Sequence, residues 1–76
     1  MNNFNLALTI VQKHCADGRD ISGFDKFDEI AMEIGIPTDR LIFYLDCLER
    51  IDLVHYSEKQ GRIILTHKGK NALAFS

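Results

Sequence analysis

The spacing of apolar residues in the first part of the chain predicts an amphipathic helix over residues 4–16. Its inward stripe recurs at three- and four-residue intervals and consists of Phe4, Ala7, Leu8, Val11 and Cys15. Leu6 and Ile10 add a second apolar strip beside the first. Such a wide apolar face either lies deep in the fold or also packs on another subunit. Gly18 follows, and glycine commonly ends a helix.

A second helix is predicted over about residues 26–34, where apolar residues again recur at helical spacing. The residues of this stripe are Phe27, Ile30, Ala31 and Ile34. Asp25 is suited to the N-cap because its carboxylate can accept a hydrogen bond from the first turn. Gly35 permits a positive φ, and Pro37 disfavours a helical residue before it, so the chain turns at "GIP".

A third helix is expected at about residues 38–51, with Thr38 as its cap. Its inward stripe is Leu41, Leu45 and Leu48, joined at the edges by Tyr44 or Ile51. Asp52 follows the helix at a position where glycine is commoner, and aspartate tolerates a left-handed backbone better than most residues.

The remaining pattern predicts a small antiparallel hairpin and a short final helix. "LVHYS" and "RIILT" read as strands joined by "EKQG", in which Gly61 allows a tight reversal. Alternation places Ile63 and Leu65 on one face of the second strand. Thr66 caps a helix that continues through Ala72 and Leu73. A minimal strand is also expected earlier, at Ile21–Ser22.

The sequence from "FDEIAMEIGIPTDRLIFYLDCLERIDLV" to "GRIILTHKGKNAL", about residues 25–73, resembles the winged helix-turn-helix domains of bacterial MarR-like transcriptional regulators. The resemblance implies an α+β winged helix: a three-helix helix-turn-helix core, a β-hairpin wing at about residues 54–66 and a short C-terminal helix. At 76 residues the chain is expected to form one such domain, residues 1–76.

The same resemblance implies a DNA-binding transcriptional regulator. Residues 38–46 would enter the major groove of double-stranded DNA, and the hairpin tip at 58–62 would touch the backbone or the minor groove. The candidate DNA-contacting residues are Thr38, Asp39, Arg40, Ile42, Phe43, Lys59, Gln60, Arg62, Lys68 and Lys70.

The distribution of charge favours phosphate contacts near the C-terminal end of the chain. Residues 1–54 carry five Lys/Arg and ten Asp/Glu, a net charge of −5, whereas residues 55–76 carry four against one, a net charge of +3. Lys59, Gln60 and Arg62 surround Gly61, so a mobile basic loop could lie along phosphates. The alternative is a solvated hairpin whose charges serve solubility.

The outward positions of the third helix depart from the regulators that it resembles. Those proteins usually place a small hydroxyl residue and an arginine where this chain has Ile42 and Phe43. Apolar side chains can touch a thymine methyl but cannot form bidentate hydrogen bonds with purines. Asp39 and Asp46 would repel phosphates. The second hypothesis is therefore a protein–protein interaction or dimerisation module that uses the Ile42/Phe43 patch. Packing of this pair within the monomer is the third alternative.

A homodimer or another protein partner could also use Leu6 and Ile10. The chain stops soon after Leu73, before the long terminal helix that joins subunits in MarR-like regulators, so a dimer is expected to use another surface.

Other classes of function find little support in the residues. No nucleophile elbow, acid pair or phosphate-binding loop is present, so we expect no enzyme activity, no cofactor and no small-molecule substrate.

Cys15 and Cys47 fit no disulfide or metal spacing, and His14 and Cys15 point about 100° apart on a helix. The N-terminus lacks a secretion signal and no apolar run spans a bilayer, so no membrane association and a cytoplasmic location are expected.

Overall fold

The computed structural model describes residues 3–16, 19–23 and 25–72, without the side chains of Asn3 and Phe4. In these ranges the chain forms four helices and one three-stranded antiparallel sheet, so the α+β class predicted from the sequence is confirmed. In chain order the elements are α1 (Asn3–His14), β1 (Ile21–Ser22), α2 (Lys26–Ile34), α3 (Thr38–Arg50), β2 (Val54–Ser57), β3 (Arg62–Leu65) and α4 (His67–Asn71). The roles predicted for the Phe4 side chain, Gly18 and Leu73 lie outside the described residues.

The predicted hairpin and the predicted two-residue strand form one sheet, with the strand order β1-β3-β2. Val54 pairs with Leu65 at the base of the hairpin, and Ser57 pairs with Arg62 near its tip. β1 adds to the other side of β3, where Ile21 pairs with Ile63. The central strand is therefore flanked on both sides.

Backbone geometry at the turns explains where α2 and α3 end. Gly35 has φ 89° and donates its N–H to the carbonyl of Ala31 (2.8 Å), which ends α2 as predicted. Asp52 has φ 65° after the end of α3, in the left-handed conformation anticipated there.

Two of the three predicted helix caps differ from expectation in detail. The N-cap of α3 is Pro37, so the prediction that Thr38 caps this helix is wrong. The Thr38 hydroxyl instead donates to the carboxylate of Asp28 on α2 (2.5 Å). Asp25 does occupy the N-cap of α2, but its side chain makes no capping hydrogen bond. The predicted cap of α4 is confirmed, because the Thr66 hydroxyl accepts from the N–H of Gly69 (2.9 Å).

One hydrophobic core lies between the helices and the inner face of the sheet. The stripe Leu41, Leu45 and Leu48 is fully buried (0% exposed), which fixes α3 against the core as predicted. Tyr44 packs at the edge of this stripe, whereas Ile51 is exposed.

The second apolar strip of α1 also lies largely within the fold. Ile10 is buried and the half-buried Leu6 packs against the same core. Ile10 therefore offers no surface to a partner, which corrects the expectation of a dimer contact through this residue.

α4 lies very close to the chain that leads into the hairpin. A Cβ atom at Gly69 would overlap the carbonyl oxygen of Leu53 and press on the Leu65 side chain. The N–H of Thr66 donates to that same Leu53 carbonyl (3.0 Å). Only glycine fits at this crossing without a shift of the backbone.

Candidate nucleic-acid interface

The outer face of α3 carries one large exposed apolar side chain. Phe43 is 57% exposed, whereas its neighbour Ile42 is half-buried and packs against the core. The two residues therefore do not form the side-by-side exposed patch considered in the sequence analysis. Asp39 and Arg40 are exposed beside Phe43 on the first turns of the helix.

The position of the Phe43 ring is defined by its neighbours. It meets the Tyr44 ring edge-on, with 5.8 Å between the ring centroids. Together with Pro37, Asp39 and Arg40 it lines a shallow depression of about 370 Å³ at the start of α3. This depression is open to solvent and is bordered by one acid, one base and one aromatic ring.

The charges on the outer face of α3 cancel. Asp46 and Arg50, one helical turn apart, form an ion pair of 3.2 Å. Asp39 and Arg40 carry opposite charges, and neither forms an ion pair with another residue that the structure describes. The Arg40 guanidinium is therefore available for an anionic group, although the face as a whole has no net charge.

The hairpin tip is held by hydrogen bonds. Gly61 has φ 61° and donates its N–H to the carbonyl of Glu58 (3.2 Å). The N–H of Gly23, just after β1, donates to the carbonyl of Gly61 (2.9 Å). Lys59 and Gln60 remain exposed on this tied turn. The tip thus presents the Lys59 ammonium group from a hydrogen-bonded turn. It is not the mobile basic loop considered in the sequence analysis.

Arg62 differs most from its predicted role. Its guanidinium donates to the carboxylate of Asp20 (2.8 Å), which lies 42 residues earlier in the chain, just before β1. The positive charge of Arg62 is therefore compensated within the monomer. No pattern in the sequence signals this pair, because it forms only when β1 joins the sheet.

Acidic residues of both α3 and the hairpin influence Tyr56 on β2, a feature that the sequence analysis missed. The pKa of the Tyr56 hydroxyl is raised by burial and further raised by Asp46, Glu49 and Glu58. α3 packs directly against β2, so these acids surround the junction of the two elements. The negative charge at this junction disfavours a phosphate group close to Tyr56.

Glu49 also joins the last turn of α3 to the hairpin. Its carboxylate accepts the N–H of Tyr56 (3.3 Å) and lies 3.7 Å from Nδ1 of His55. This contact satisfies a backbone donor on the free edge of β2 and fixes the hairpin relative to α3.

The two lysines of α4 lie in different surroundings. Lys68 donates to the carbonyl of Ile51, at the end of α3 (3.2 Å). Lys70 instead borders a depression of about 230 Å³ together with Gln12 and Cys15 of the α1 region. The predicted residues therefore separate into the start of α3, the hairpin tip and the two sides of α4.

Other candidate sites contribute little chemistry. Burial raises the pKa of the Cys15 thiol above its ordinary value, which disfavours the reactive thiolate. Among the residues that the structure describes, no three potential metal-ligating side chains form a group. In the same residues, no helix combines the length and apolar character needed to cross a bilayer.

Comparison with known proteins adds no family assignment. No family model matches the chain, and no curated protein or solved structure does either.

Proposed function

We propose that this chain is a winged-helix domain that binds double-stranded DNA as a small transcriptional regulator. In this proposal the outer face of α3 enters the major groove and the hairpin tip lies along the backbone. The supporting observation is an exposed helix face, backed by three fully buried leucines, with Arg40 on the helix and Lys59 on the adjoining hairpin. Such a regulator would act in the cytoplasm.

The electrostatics favour weak binding that depends strongly on salt. Arg40, Lys59, Lys68 and Lys70 form no ion pair with the described acids, so their charges remain available to phosphates. Asp39, Asp46 and Glu58 oppose the approach of the backbone. If all four cations contact phosphates, the slope of log K against log salt is about −3.6, so binding that is already weak at low salt should be lost toward physiological concentration.

The test is fluorescence anisotropy with a labelled duplex of about 20 base pairs at a series of salt concentrations. Arg40→Gln and Lys59→Gln should each weaken binding and reduce the slope of log K against log salt by about 0.9. Lys13→Gln removes the same charge from the exposed side of α1 and serves as the matched control. Equal effects of all three substitutions, or no binding at low salt, would remove the proposal.

A second candidate is a protein-interaction module centred on Phe43, favoured by the exposure of that ring. An aromatic residue surrounded by the charges of Asp39, Arg40 and Asp46 has the composition of an interface anchor with a polar rim. In this case sedimentation velocity should show self-association that Phe43→Ala abolishes, and duplex DNA should not bind. If the protein sediments as a monomer at all concentrations, self-association through Phe43 is refuted.

A further inference from the structure

We infer that α3 recognises the 5-methyl groups of pyrimidines in the major groove, chiefly thymine, through the Phe43 ring. This inference rests on the proposed DNA binding and concerns which duplexes that surface prefers. It assigns a sequence preference to one exposed apolar side chain, in addition to any preference from the exposed polar residues Asp39 and Arg40.

Two polar side chains on the outer part of α3 already have partners. The Thr38 hydroxyl donates to Asp28 on α2, and Asp46 is paired with Arg50. The depression at the N-terminal end of the helix is lined by exposed residues, of which Asp39 and Arg40 are charged and Pro37 and Phe43 are apolar.

The Phe43 ring lines this depression, and its side chain has no hydrogen-bonding group. On a base-pair edge in the major groove, the one apolar group that it can contact is the thymine methyl. Cytosine has hydrogen at the same carbon and presents an amino group beside it. Burial of the ring against a methyl group is favourable, whereas burial against polar edges leaves hydrogen-bonding groups without partners.

The ring is also positioned before any ligand binds. Its edge-on contact with Tyr44 (centroids 5.8 Å apart) limits its motion, and Tyr44 itself packs on the core. Ile42 cannot share the role because it is half-buried against the core. The helix therefore presents one apolar reader, which fits one or two methyl groups on adjacent bases.

The experiment compares four duplexes of about 20 base pairs, measured by anisotropy at low salt. One pair has an A·T sequence with either thymidine or deoxyuridine, which lacks the methyl group. The other pair has a G·C sequence with either cytosine or 5-methylcytosine, which carries a methyl group at the same position. The reciprocal pairs separate the methyl group from other effects of base composition.

The wild-type protein should bind thymidine better than deoxyuridine, and 5-methylcytosine better than cytosine, by about fourfold for each methyl group contacted. Phe43→Ala should remove both preferences and keep the residual binding through phosphates. Met32→Ala serves as the matched control, since Met32 is also a large apolar residue with high exposure (80%) and lies on α2. This variant should retain both preferences.

The possible failures are distinguishable. If the wild type binds all four duplexes equally, or if Phe43→Ala keeps the wild-type preferences, methyl recognition by Phe43 is refuted while DNA binding stands. If no duplex binds even at low salt, the proposed function fails, and the inference fails with it.

Discussion

Replacement of Asp20 by asparagine should strengthen the proposed DNA binding, although Asp20 is not itself one of the residues proposed to contact DNA. In the monomer its carboxylate holds the Arg62 guanidinium at 2.8 Å and compensates its charge. Asp20→Asn removes that compensation and leaves Arg62 free, at the first residue of β3 beside the hairpin tip. The domain would gain one cation for phosphate contacts.

The magnitude follows from counterion release. One additional phosphate contact makes the slope of log K against log salt steeper by about 0.9. Between about 50 and 200 mM salt this corresponds to an extra loss of affinity of about 3.5-fold for the variant relative to the wild type. The fold should survive, because both side chains of this pair are at least a third exposed, and such pairs contribute about 0–1 kcal/mol.

The assay is a salt titration of labelled duplex by anisotropy, with two controls. Glu33→Gln gives the same change in net charge on α2, where Glu33 pairs with Lys13 and His14, and should leave the slope unchanged. Arg62→Gln combined with Asp20→Asn should cancel the gain. If the gain in DNA affinity persists without Arg62, or if Glu33→Gln gives an equal gain, the total charge of the protein is its cause and the released Arg62 guanidinium is not.

Three further predictions concern stability and ionisation. Gly69→Ala should lower the free energy of unfolding by about 3 kcal/mol, because the added Cβ would overlap the Leu53 carbonyl. Gly35→Ala should lower it by only about 1–2 kcal/mol, through the positive φ at that position, and urea unfolding measures both values. Thr66→Ala should cost about 1–2 kcal/mol through loss of the α4 cap, and Thr66→Ser should recover most of it in the same assay. In a Tyr44→Phe background, ultraviolet titration should place the pKa of Tyr56 above its ordinary value, and Glu58→Gln should lower it. Because the folded-state pKa is raised, this group's contribution to stability is complete below about pH 10 and is lost as the pH rises through the folded-state pKa.

Local patterns in the sequence predicted most of the elements because their causes are local. The leucine stripe of α3, the turn at Gly35 and the strand alternation around Ile63 each depend on residues within a few positions. The N-cap of α3 was wrong because Pro37 already ends the turn, and Asp28 from another helix takes the Thr38 hydroxyl.

The candidate site was harder to predict because its electrostatics arise from distant segments. Arg62 is neutralised by a residue 42 positions away, and the acids around Tyr56 come from both α3 and the hairpin. Ile42 and Phe43 are adjacent in sequence, yet helix geometry turns one toward the core and the other outward. The Arg62 and Tyr56 relations follow from the tertiary packing, which sequence spacing does not specify.

The most direct test of DNA binding by α3 and the hairpin is an NMR titration of labelled protein with an unlabelled duplex at low salt. We expect saturable shifts of backbone amide signals at Arg40 and Phe43 on α3 and at Lys59 and Gln60 on the hairpin tip, with little change at Met32 on α2. Unchanged spectra at high duplex concentration, or shifts confined to α1 and α2, would contradict the proposed interface.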